Sequence, residues 1–357
     1  MKVAVVCPYA VDRPGGVQVQ ATELVARLGD AGHHAWLVAP PVDGGGVAEV
    51  RVNRSVAPVS LAPKAGVQVV RRLAGADVIH IHEPFVPVVS LAALLWGRAP
   101  KVGTFHASPG RGIGWAYRLG TPLLRRLSGR LAVATTVSGV AQASVEGFCP
   151  TVVIPNALSC ASFIAEVERT AHRVAFLGRD DPRKGLDVLL GAWPAVREAV
   201  PDAELAVVGA SRPRPFPAGV RYLGRVSEED KRFELSRAAL LAAPNLGEES
   251  FGLVPAEGMA AGCAVVASAL PGFVEVVGEA GVLVPPGDPA ALAKALVELL
   301  QDGARRRELG ERGRRRARRF DWEMVLPRYL EVYEQALRGP LPPSAGLGGW
   351  EAPADPR

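Results

Sequence analysis

The Gly-rich segment 245–262 is the strongest candidate for a functional site in the sequence. It contains the carboxylates Glu249 and Glu257. Glu249 stands in a loop and Glu257 follows eight positions later, about two turns along a predicted helix, so both side chains can face one cleft. Carboxylates in this setting suit sugar hydroxyls, with Glu257 on a ribose and Glu249 on a hexose. The alternative interpretation is a pair of surface carboxylates.

A second candidate is the loop that follows the predicted strand at 173–177 and carries Arg179 and Lys184. Ligands of α/β proteins bind at the carboxyl ends of the strands, where two such cations can clamp a diphosphate. An ordinary solvated loop explains the same residues equally well.

Two glycines, Gly15 and Gly16, stand before the helix predicted over 18–29. Glycines at a helix start let a phosphate approach the backbone N–H groups and the positive end of the helix. The spacing is not GxGxxG, which disfavours a dinucleotide-dependent dehydrogenase. A Gly-Gly pair is also typical of a simple turn, so this pattern leaves both interpretations open.

Two histidines, His80 and His82, alternate on a predicted strand and therefore point to the same side. A metal site needs further ligands, and none is placed by spacing. The chain has no Asp-x-Asp motif. We therefore favour a structural role for these histidines and for Glu83, which follows them, and predict no metal and no other cofactor. We interpret the scattered cysteines as small buried apolar residues; they are Cys7, Cys149, Cys160 and Cys263.

Short β-branched runs alternate with amphipathic segments along the chain, which predicts an α/β fold with two Rossmann-like domains in tandem. The predicted strands are 3–7, 35–39, 77–82, 101–105, 131–135, 173–177, 204–208, 220–223, 238–242, 264–267 and 281–284. We assign residues 1–160 to the first domain and 161–324 to the second. The last helix, 325–338, is predicted to kink or restart at Pro327 and to pack back on the first domain. Residues 339–357 are predicted to form a disordered Pro/Gly-rich tail.

The composition excludes a disordered or collagen-like chain, since 48% of the 357 residues are apolar and 22% are charged. The net charge is +5, and residues 1–150 are the most basic part, with 15 basic and 8 acidic side chains. The arginine run at 305–319 is interpreted as the solvated face of a helix, with Glu308 pairing Arg312 and Glu311 pairing Arg315, so no nucleic-acid partner is expected. The longest apolar stretch, 85–96, is too short to cross a bilayer. The N-terminus does not match a secretory signal, so we expect a cytoplasmic protein.

Several motifs in combination resemble one enzyme family. They are Cys-Pro-Tyr-x-x-Asp-x-Pro-Gly-Gly-Val-Gln at 7–18, His-Ile-His-Glu-Pro at 80–84, Thr-Phe-His at 104–106, Gly-Arg at 178–179 with Lys-Gly at 184–185, Glu-Ser-Phe-Gly at 249–252, then Glu257 and Met-Ala-Ala-Gly at 259–262. Together they are similar to the retaining GT-B glycosyltransferases of family 4, and most of all to the phosphatidylinositol mannosyltransferases. The resemblance implies two Rossmann-like domains facing a central cleft, with the C-terminal helix packed on the N-terminal domain.

The resemblance also implies roles for individual residues. Gly16 contacts the donor diphosphate, Arg179 and Lys184 neutralise it, Glu249 holds the transferred sugar, and His106 lies beside that sugar. The implied catalytic residues are His106, Glu249, Arg179 and Lys184. The implied donor-binding residues are Gly15, Gly16, Arg179, Lys184, Glu249, Ser250, Phe251, Gly252, Leu253 and Glu257, the last on the nucleotide ribose. The implied acceptor-binding residues are Tyr9, Asp12, Gln18 and Arg111.

The implied reaction moves mannose from GDP-mannose to phosphatidylinositol with retention at the anomeric carbon and without a metal. The acceptor attacks the face that the diphosphate leaves, and the leaving phosphate takes the acceptor's proton. The acceptor places the protein at the inner face of the cell membrane as a peripheral protein, where anionic lipid is a partner. A basic surface for such docking is available from Arg111, Arg118, Arg125, Arg126 and Arg130.

Three alternatives stay open. The first is a family 4 transferase that uses a UDP-linked sugar and another acceptor. The second is a sugar-nucleotide epimerase, which shares the double Rossmann-like architecture. The third is a non-catalytic module that binds lipid or nucleic acid through the arginine run.

Overall fold

The computed structural model describes residues 1–12, 15–40, 47–52, 55–60, 62–106, 120–163, 167–212, 217–247 and 249–339. The chain divides into two compact units, of which the first takes Met1–Ala157 and resumes at Trp322, and the second takes Leu158–Asp321. Over the described residues, each unit is built around one parallel sheet of six strands. The predicted α/β fold with two Rossmann-like halves is therefore confirmed.

The first unit begins with a strand that is apolar on both faces. Its strands are β1 (Lys2–Val6), β2 (His34–Val38), β3 (Val47–Val52), β4 (Ser55–Ser60), β5 (Val78–His82), β6 (Lys101–Phe105), β7 (Val133–Thr136) and β8 (Val152–Val153). Its helices before the second unit are α1 (Gly16–Asp30), α2 (Pro63–Arg72), α3 (Val89–Trp96), α4 (Thr121–Ser128) and α5 (Gly139–Val145). The main sheet has the order β2-β1-β5-β6-β7-β8. Val3 and Val5 pack on one side of β1 and Ala4 and Val6 on the other, as expected for a parallel strand covered on both faces.

The second unit repeats this plan. Its strands are β9 (Thr170–Leu177), β10 (Glu204–Val208), β11 (Val220–Gly224), β12 (Ala238–Ala243), β13 (Ala264–Ser268) and β14 (Gly281–Val284). Its helices are α6 (Leu186–Ala199), α7 (Glu228–Arg237), α8 (Leu253–Ala261), α9 (Pro271–Val277), α10 (Pro289–Gln301) and α11 (Gly303–Ala317). The sheet order is β11-β10-β9-β12-β13-β14, so β9 and β12 are neighbours and the loops after them lie side by side.

The last helix, α12 (Trp322–Arg338), belongs to the first unit and completes its core, as predicted. Trp322 and Tyr333 are buried, and the Trp322 indole Nε1 donates to the Glu23 carboxylate at 2.6 Å. The helix runs through Pro327 as one element, so of the predicted kink or restart the restart does not occur. Proline removes one backbone hydrogen bond, and the packing of residues on both sides of it outweighs that loss.

Two features were not predicted from the sequence. One is the antiparallel pair β3 and β4, and the other is the short edge strand β8. Pro58 lies inside β4 opposite Glu49, and a proline normally argues against a strand. It is accommodated because β3 and β4 form a two-stranded sheet of their own, in which both strands are edge strands; within the described residues β4 has one further contact, an isolated bridge from Val59 to Tyr9. In the described part of the chain, no helix has both the length and the apolar character needed to cross a membrane.

Candidate active site

The loop after β9 turns sharply before α6 begins. Asp181 caps the short 3₁₀ helix Pro182–Lys184 by accepting the Arg183 backbone N–H at 3.0 Å, and it forms an ion pair with the Arg183 guanidinium at 2.7 Å. Burial raises the pKa of Asp181, but the hydrogen bonds from Arg183 outweigh burial and hold that pKa below its ordinary value. The loop is thus fixed by its own ion pair, which leaves the side chain of Lys184 for other partners.

Lys184 and Glu249 are brought together as a pair. The Lys184 ammonium Nζ lies 2.5 Å from Glu249 Oε1, and the Asn245 amide Nδ2 donates to the same oxygen at 2.7 Å. Both side chains of the pair are 20% exposed, so they are partly screened but still reachable from solvent. The pair joins the loop after β9 to the loop after β12 at the carboxyl ends of neighbouring strands, which is where α/β sheets bind ligands.

A glycine makes this junction possible. Gly185 has φ of 72° and its Cα faces the Pro244 carbonyl so closely that an added Cβ would overlap the oxygen. The Leu246 backbone N–H also donates to the Arg183 carbonyl at 2.8 Å. At Gly185 the backbones of the two loops are therefore in direct contact. This contact sets the position of Lys184.

The segment that follows Glu249 is packed rather than loose. Phe251 is buried with its ring edge-on to Phe320, with centroids 5.3 Å apart. Gly252 has φ of 130° and precedes α8, while an added Cβ at Gly272 would lie 2.5 Å from the Glu249 carbonyl oxygen. The predicted donor-binding residues Ser250, Phe251, Gly252 and Leu253 thus form the turn that enters α8.

Glu257 is placed differently from the prediction. Because α8 begins at Leu253, Glu257 lies about one turn into the helix rather than two. Its Oε1 forms an ion pair with Lys231 on α7 at 2.8 Å, and Lys231 also contacts Glu228 at 2.6 Å. Burial raises the pKa of Glu257 above its ordinary value, and Lys231 opposes that rise.

We expect Lys231→Met to lower the free energy of unfolding by about 1–2 kcal/mol at neutral pH, because a half-buried carboxylate loses its partner. In the variant the pKa of Glu257 rises further. Between the ordinary value of 4.5 and that raised pKa, the folded protein holds a proton that the unfolded chain has lost, so stability falls as pH rises. Urea unfolding at several pH values should show a steeper decline from pH 4.5 to 7 than in the unmodified protein. Lys231→Arg keeps the charge and should follow the unmodified protein; an identical decline in Lys231→Met would contradict the assignment.

The remaining cation of the prediction stands apart. Arg179 is exposed just after β9, and its guanidinium forms no ion pair or hydrogen bond with the residues that the structure describes. It is therefore available to a ligand at the same edge of the sheet. Asp180, next to it, pairs with Arg212 at 3.0 Å.

On the first unit, the predicted diphosphate contact lies at a helix start. Gly15 is the N-cap of α1, which begins at Gly16 with no acidic residue in its first turn. An added Cβ at Gly15 would lie 2.6 Å from Gln18 Oε1. The start of α1 therefore carries no acidic side chain, and the side chain of Gln18 packs beside Gly15.

Three of the four predicted acceptor residues, Tyr9, Asp12 and Gln18, lie in or next to the loop after β1. Tyr9 bridges to Val59 of β4, and the buried Gln18 amide donates to the Ala10 carbonyl at 3.5 Å, so Gln18 supports the loop after β1. Asp12 is exposed in the same loop. Arg111 and Arg118 lie outside the described residues.

His106 follows β6 and is 6% exposed. Its ring Nε2 lies 2.7 Å from His82 Nδ1 at the end of β5, and its backbone N–H donates to Glu83 Oε1 at 2.8 Å. Glu83 has φ of 49°, a left-handed conformation that is rare outside glycine and clusters at functional sites. Two consecutive residues after one strand therefore fix the ring and the backbone of His106.

His80 links the histidine cluster to α12. Its ring stacks on His82 with centroids 4.6 Å apart, and its Nδ1 and Nε2 lie 2.6 Å from the Tyr333 hydroxyl and 2.7 Å from Thr104 Oγ1. Burial lowers the pKa of His80 to about 3 and that of His106 to about 4, and it holds the pKa of His82 well below the ordinary value. All three rings are neutral at physiological pH. No cluster suited to a metal ion occurs among the His, Cys, Asp and Glu side chains that the structure describes.

Tyr333→Phe is expected to lower the free energy of unfolding by about 1–3 kcal/mol, because the buried His80 Nδ1 loses its partner. Glu334→Gln, on the exposed side of the same helix, is the matched control and should change stability little. Equal urea midpoints for the two variants would contradict the anchoring of α12 on His80.

The structure thus forms two clusters, each within one unit. Lys184 and Glu249 meet in the second unit with Asn245, and His106 meets His82 and Glu83 in the first. Two partners were not predicted from the sequence, namely Asn245 and Lys231, and the contact of Glu83 with the His106 backbone was not predicted either. Asn245 could have been found from its place just after an apolar strand, four residues before Glu249.

Comparisons with known proteins agree with this chemistry. The family profile described as "Glycosyltransferase Family 4" matches residues 14–162, and that described as "Glycosyl transferases group 1" matches residues 171–302. The phosphatidyl-myo-inositol mannosyltransferase of Mycolicibacterium smegmatis is 36% identical, with 94% of each chain covered. That of Mycobacterium leprae is also 36% identical, covering 94% of this chain and 96% of the relative.

Solved structures show the same fold at lower identity. Sucrose-phosphate synthase from Thermosynechococcus elongatus superimposes with a TM-score of 0.73 at 22% identity, covering 94% of this chain and 99% of that one. Anabaena Alr3699/HepE in complex with UDP and glucose gives 0.72 at 18% identity, with the same coverage. These neighbours are GT-B glycosyltransferases. The chain therefore belongs to the family 4 glycosyltransferases, the family that includes the phosphatidyl-myo-inositol mannosyltransferases, and it is a glycosyltransferase.

Proposed function

We propose that this protein transfers mannose from GDP-mannose to phosphatidylinositol, with retention, at the cytoplasmic face of the membrane. The observation that carries the proposal is the 36% identity to the mannosyltransferase of Mycolicibacterium smegmatis, since it extends over 94% of the chain and so includes both units. The local chemistry of the two clusters supports the same reaction.

The first requirement of the reaction is to stabilise the charge that develops on the departing diphosphate. Lys184 and Arg179 supply two cations at the carboxyl edge of the second sheet, and the start of α1 at Gly15 and Gly16 supplies backbone N–H groups. Such fixed charges and dipoles act without reorganisation when the bond breaks. This assignment leaves the charge to side chains and helix ends rather than to a metal.

The second requirement is to hold the sugar and the ribose. The carboxylate of Glu249, steadied by Asn245, accepts hydrogen bonds from sugar hydroxyls, and the neutral ring of His106 lies beside the same sugar. Glu257, paired with Lys231, accepts from the ribose hydroxyls. The turn Ser250, Phe251, Gly252 and Leu253 presents backbone groups to the donor.

Retention follows from attack on the face that the diphosphate leaves. No side chain is assigned as a covalent nucleophile. The acceptor hydroxyl bonds to the anomeric carbon as the bond to the diphosphate oxygen breaks, and that oxygen takes the hydroxyl proton. Tyr9, Asp12, Gln18 and Arg111 are assigned to the inositol headgroup.

Exposed side chains of the first unit support a membrane position. Trp96 at the end of α3 is 62% exposed and Leu123 on α4 is 61% exposed, while Arg125 and Arg126 stand in the last turn of α4. Leu123 shares α4 with Arg125 and Arg126, and an apolar side chain on the same helix as cations favours an anionic bilayer surface. We therefore propose a peripheral position on the inner face of the cell membrane.

The test is incorporation of label from GDP-[³H]mannose into lipid. Vesicles of phosphatidylinositol with phosphatidylcholine should give chloroform-soluble label, and vesicles of phosphatidylcholine alone should give none. Lipid label with UDP-linked hexoses but not with GDP-mannose would overturn the donor. Turnover of a sugar nucleotide with no acceptor present would favour an epimerase.

A further inference from the structure

His82 is buried between two other histidines and has no role in the mechanism described so far. Its Nδ1 faces His106 Nε2 at 2.7 Å, and its ring stacks on His80 with an interplanar angle of 15°. We propose that His82 is a positioning residue that holds the ring of His106 in the Nδ1–H tautomer. The consequence for catalysis rests on the proposed role of His106 beside the donor sugar.

The tautomer follows from proton counting. Both rings are neutral, so the contact of 2.7 Å contains one proton, and one nitrogen donates while the other accepts. His106 Nε2 is the nitrogen that meets His82, so the direction of this one contact fixes where the proton of His106 lies. A neutral ring has one N–H, so if His82 Nδ1 donates to His106 Nε2, the proton of His106 lies on Nδ1.

The second nitrogen of the His82 ring, Nε2, decides which of the two histidines donates. His82 Nε2 is buried and has no hydrogen-bond partner among the residues that the structure describes. If His106 donated to His82 Nδ1, the proton of His82 would sit on Nε2 as a buried and unpaired N–H, which is rare in native proteins. With the proton on Nδ1, the unpaired position is a lone pair.

The backbone reinforces the same geometry. Glu83, the neighbour of His82, accepts the backbone N–H of His106 at 2.8 Å while its own φ is 49°. His106 is therefore held by its ring and by its backbone from one strand end. In the proposed reaction this leaves the Nδ1–H of His106 as the group that donates to a sugar hydroxyl oxygen.

His82→Asn, His82→Gln and His82→Leu test whether the position of the donating N–H matters rather than the bulk of the side chain. Asparagine places an amide N–H near the imidazole Nδ1 position, glutamine places one near Nε2, and leucine removes both. Long-range ¹H–¹⁵N spectra of histidine-labelled protein report which ring nitrogen carries the proton. The chain has six histidines, and single substitutions assign their signals.

We expect His82 and His106 of the unmodified protein both to be Nδ1–H. His82→Asn should keep this signature at His106 and keep kcat within about 3-fold, whereas His82→Gln and His82→Leu should give mixed tautomers and lower kcat about 10- to 100-fold with little change in KM. An Nε2–H signature at His106 in the unmodified protein would overturn the proposal, and so would an unchanged tautomer in a folded His82→Leu.

The two readouts fail independently. If the unmodified protein makes no lipid product from GDP-mannose, the proposed function fails, yet the spectra still decide the tautomer. If His82→Leu does not fold, the spectra of the unmodified protein and of His82→Asn decide it.

Discussion

Lys184→Ala is expected to lower kcat for mannose transfer about 1000-fold, because a fixed charge that stabilises a departing group contributes strongly to the rate enhancement of enzymes. The ammonium lies 2.5 Å from Glu249, so its removal deprives the diphosphate of a cation and deprives Glu249 of the partner that orients it. Lys184 and Glu249 are each 20% exposed, much like the pair of Lys231 and Glu257, so we expect a similar loss of about 1–2 kcal/mol in the free energy of unfolding. Initial rates with GDP-mannose and phosphatidylinositol vesicles measure the effect.

The matched control is Lys294→Ala, on the exposed face of α10. It removes the same charge and should leave kcat unchanged. If Lys184→Ala keeps more than a tenth of the rate while remaining folded, the role given to Lys184 is wrong.

Gly185→Ala is expected to lower the free energy of unfolding by about 3 kcal/mol. The residue has φ of 72°, which costs an L side chain energy, and its Cβ would overlap the backbone oxygen of Pro244. Relief requires the loops after β9 and β12 to separate, which moves Lys184 from Glu249. We therefore expect a large loss of transfer together with the loss of stability, measured by urea unfolding and initial rates.

Gly191→Ala provides the comparison on the same helix. Gly191 lies inside α6, where an added Cβ would meet only the Pro289 Cβ at 3.7 Å. In a helix interior, alanine is more stable than glycine by about 0.5–1 kcal/mol. Equal effects of the two substitutions would show that the loop junction is not the cause.

Much of the fold is visible in the sequence because both sheets are parallel and buried on both faces. Such strands form continuous apolar runs separated by amphipathic helices, and each run predicted from the sequence is a strand in the structure over overlapping residues. The pair β3 and β4 lacks this signal, because edge strands need no second buried face. The course of α12 through Pro327 depends on packing with the first unit, which local sequence does not encode.

The sequence names candidate site residues but not the contacts between them. Lys184 and Glu249 were assigned to separate parts of the donor, and the structure pairs them although 65 positions separate them. The pairing follows from the strand order, in which β9 lies beside β12. Sequence periodicity indicates strands but does not indicate which of them are neighbours.

The same reason explains the histidines. Their alternation placed His80 and His82 on one side of β5, but their contacts with His106 and Tyr333 depend on the neighbouring strand and on the returning helix. The position of Glu257 was misjudged by one turn because α8 begins only after the turn that Gly252 allows.

The central claim is that the donor binds where β9 and β12 end, at Lys184, Glu249 and Glu257. Hydrogen–deuterium exchange with and without GDP-mannose tests it directly. We predict slower exchange in peptides covering residues 178–186 and 245–257 and unchanged exchange across α10 and α11. Protection confined to α10 and α11, or no protection of either loop at saturating donor, would contradict the claim.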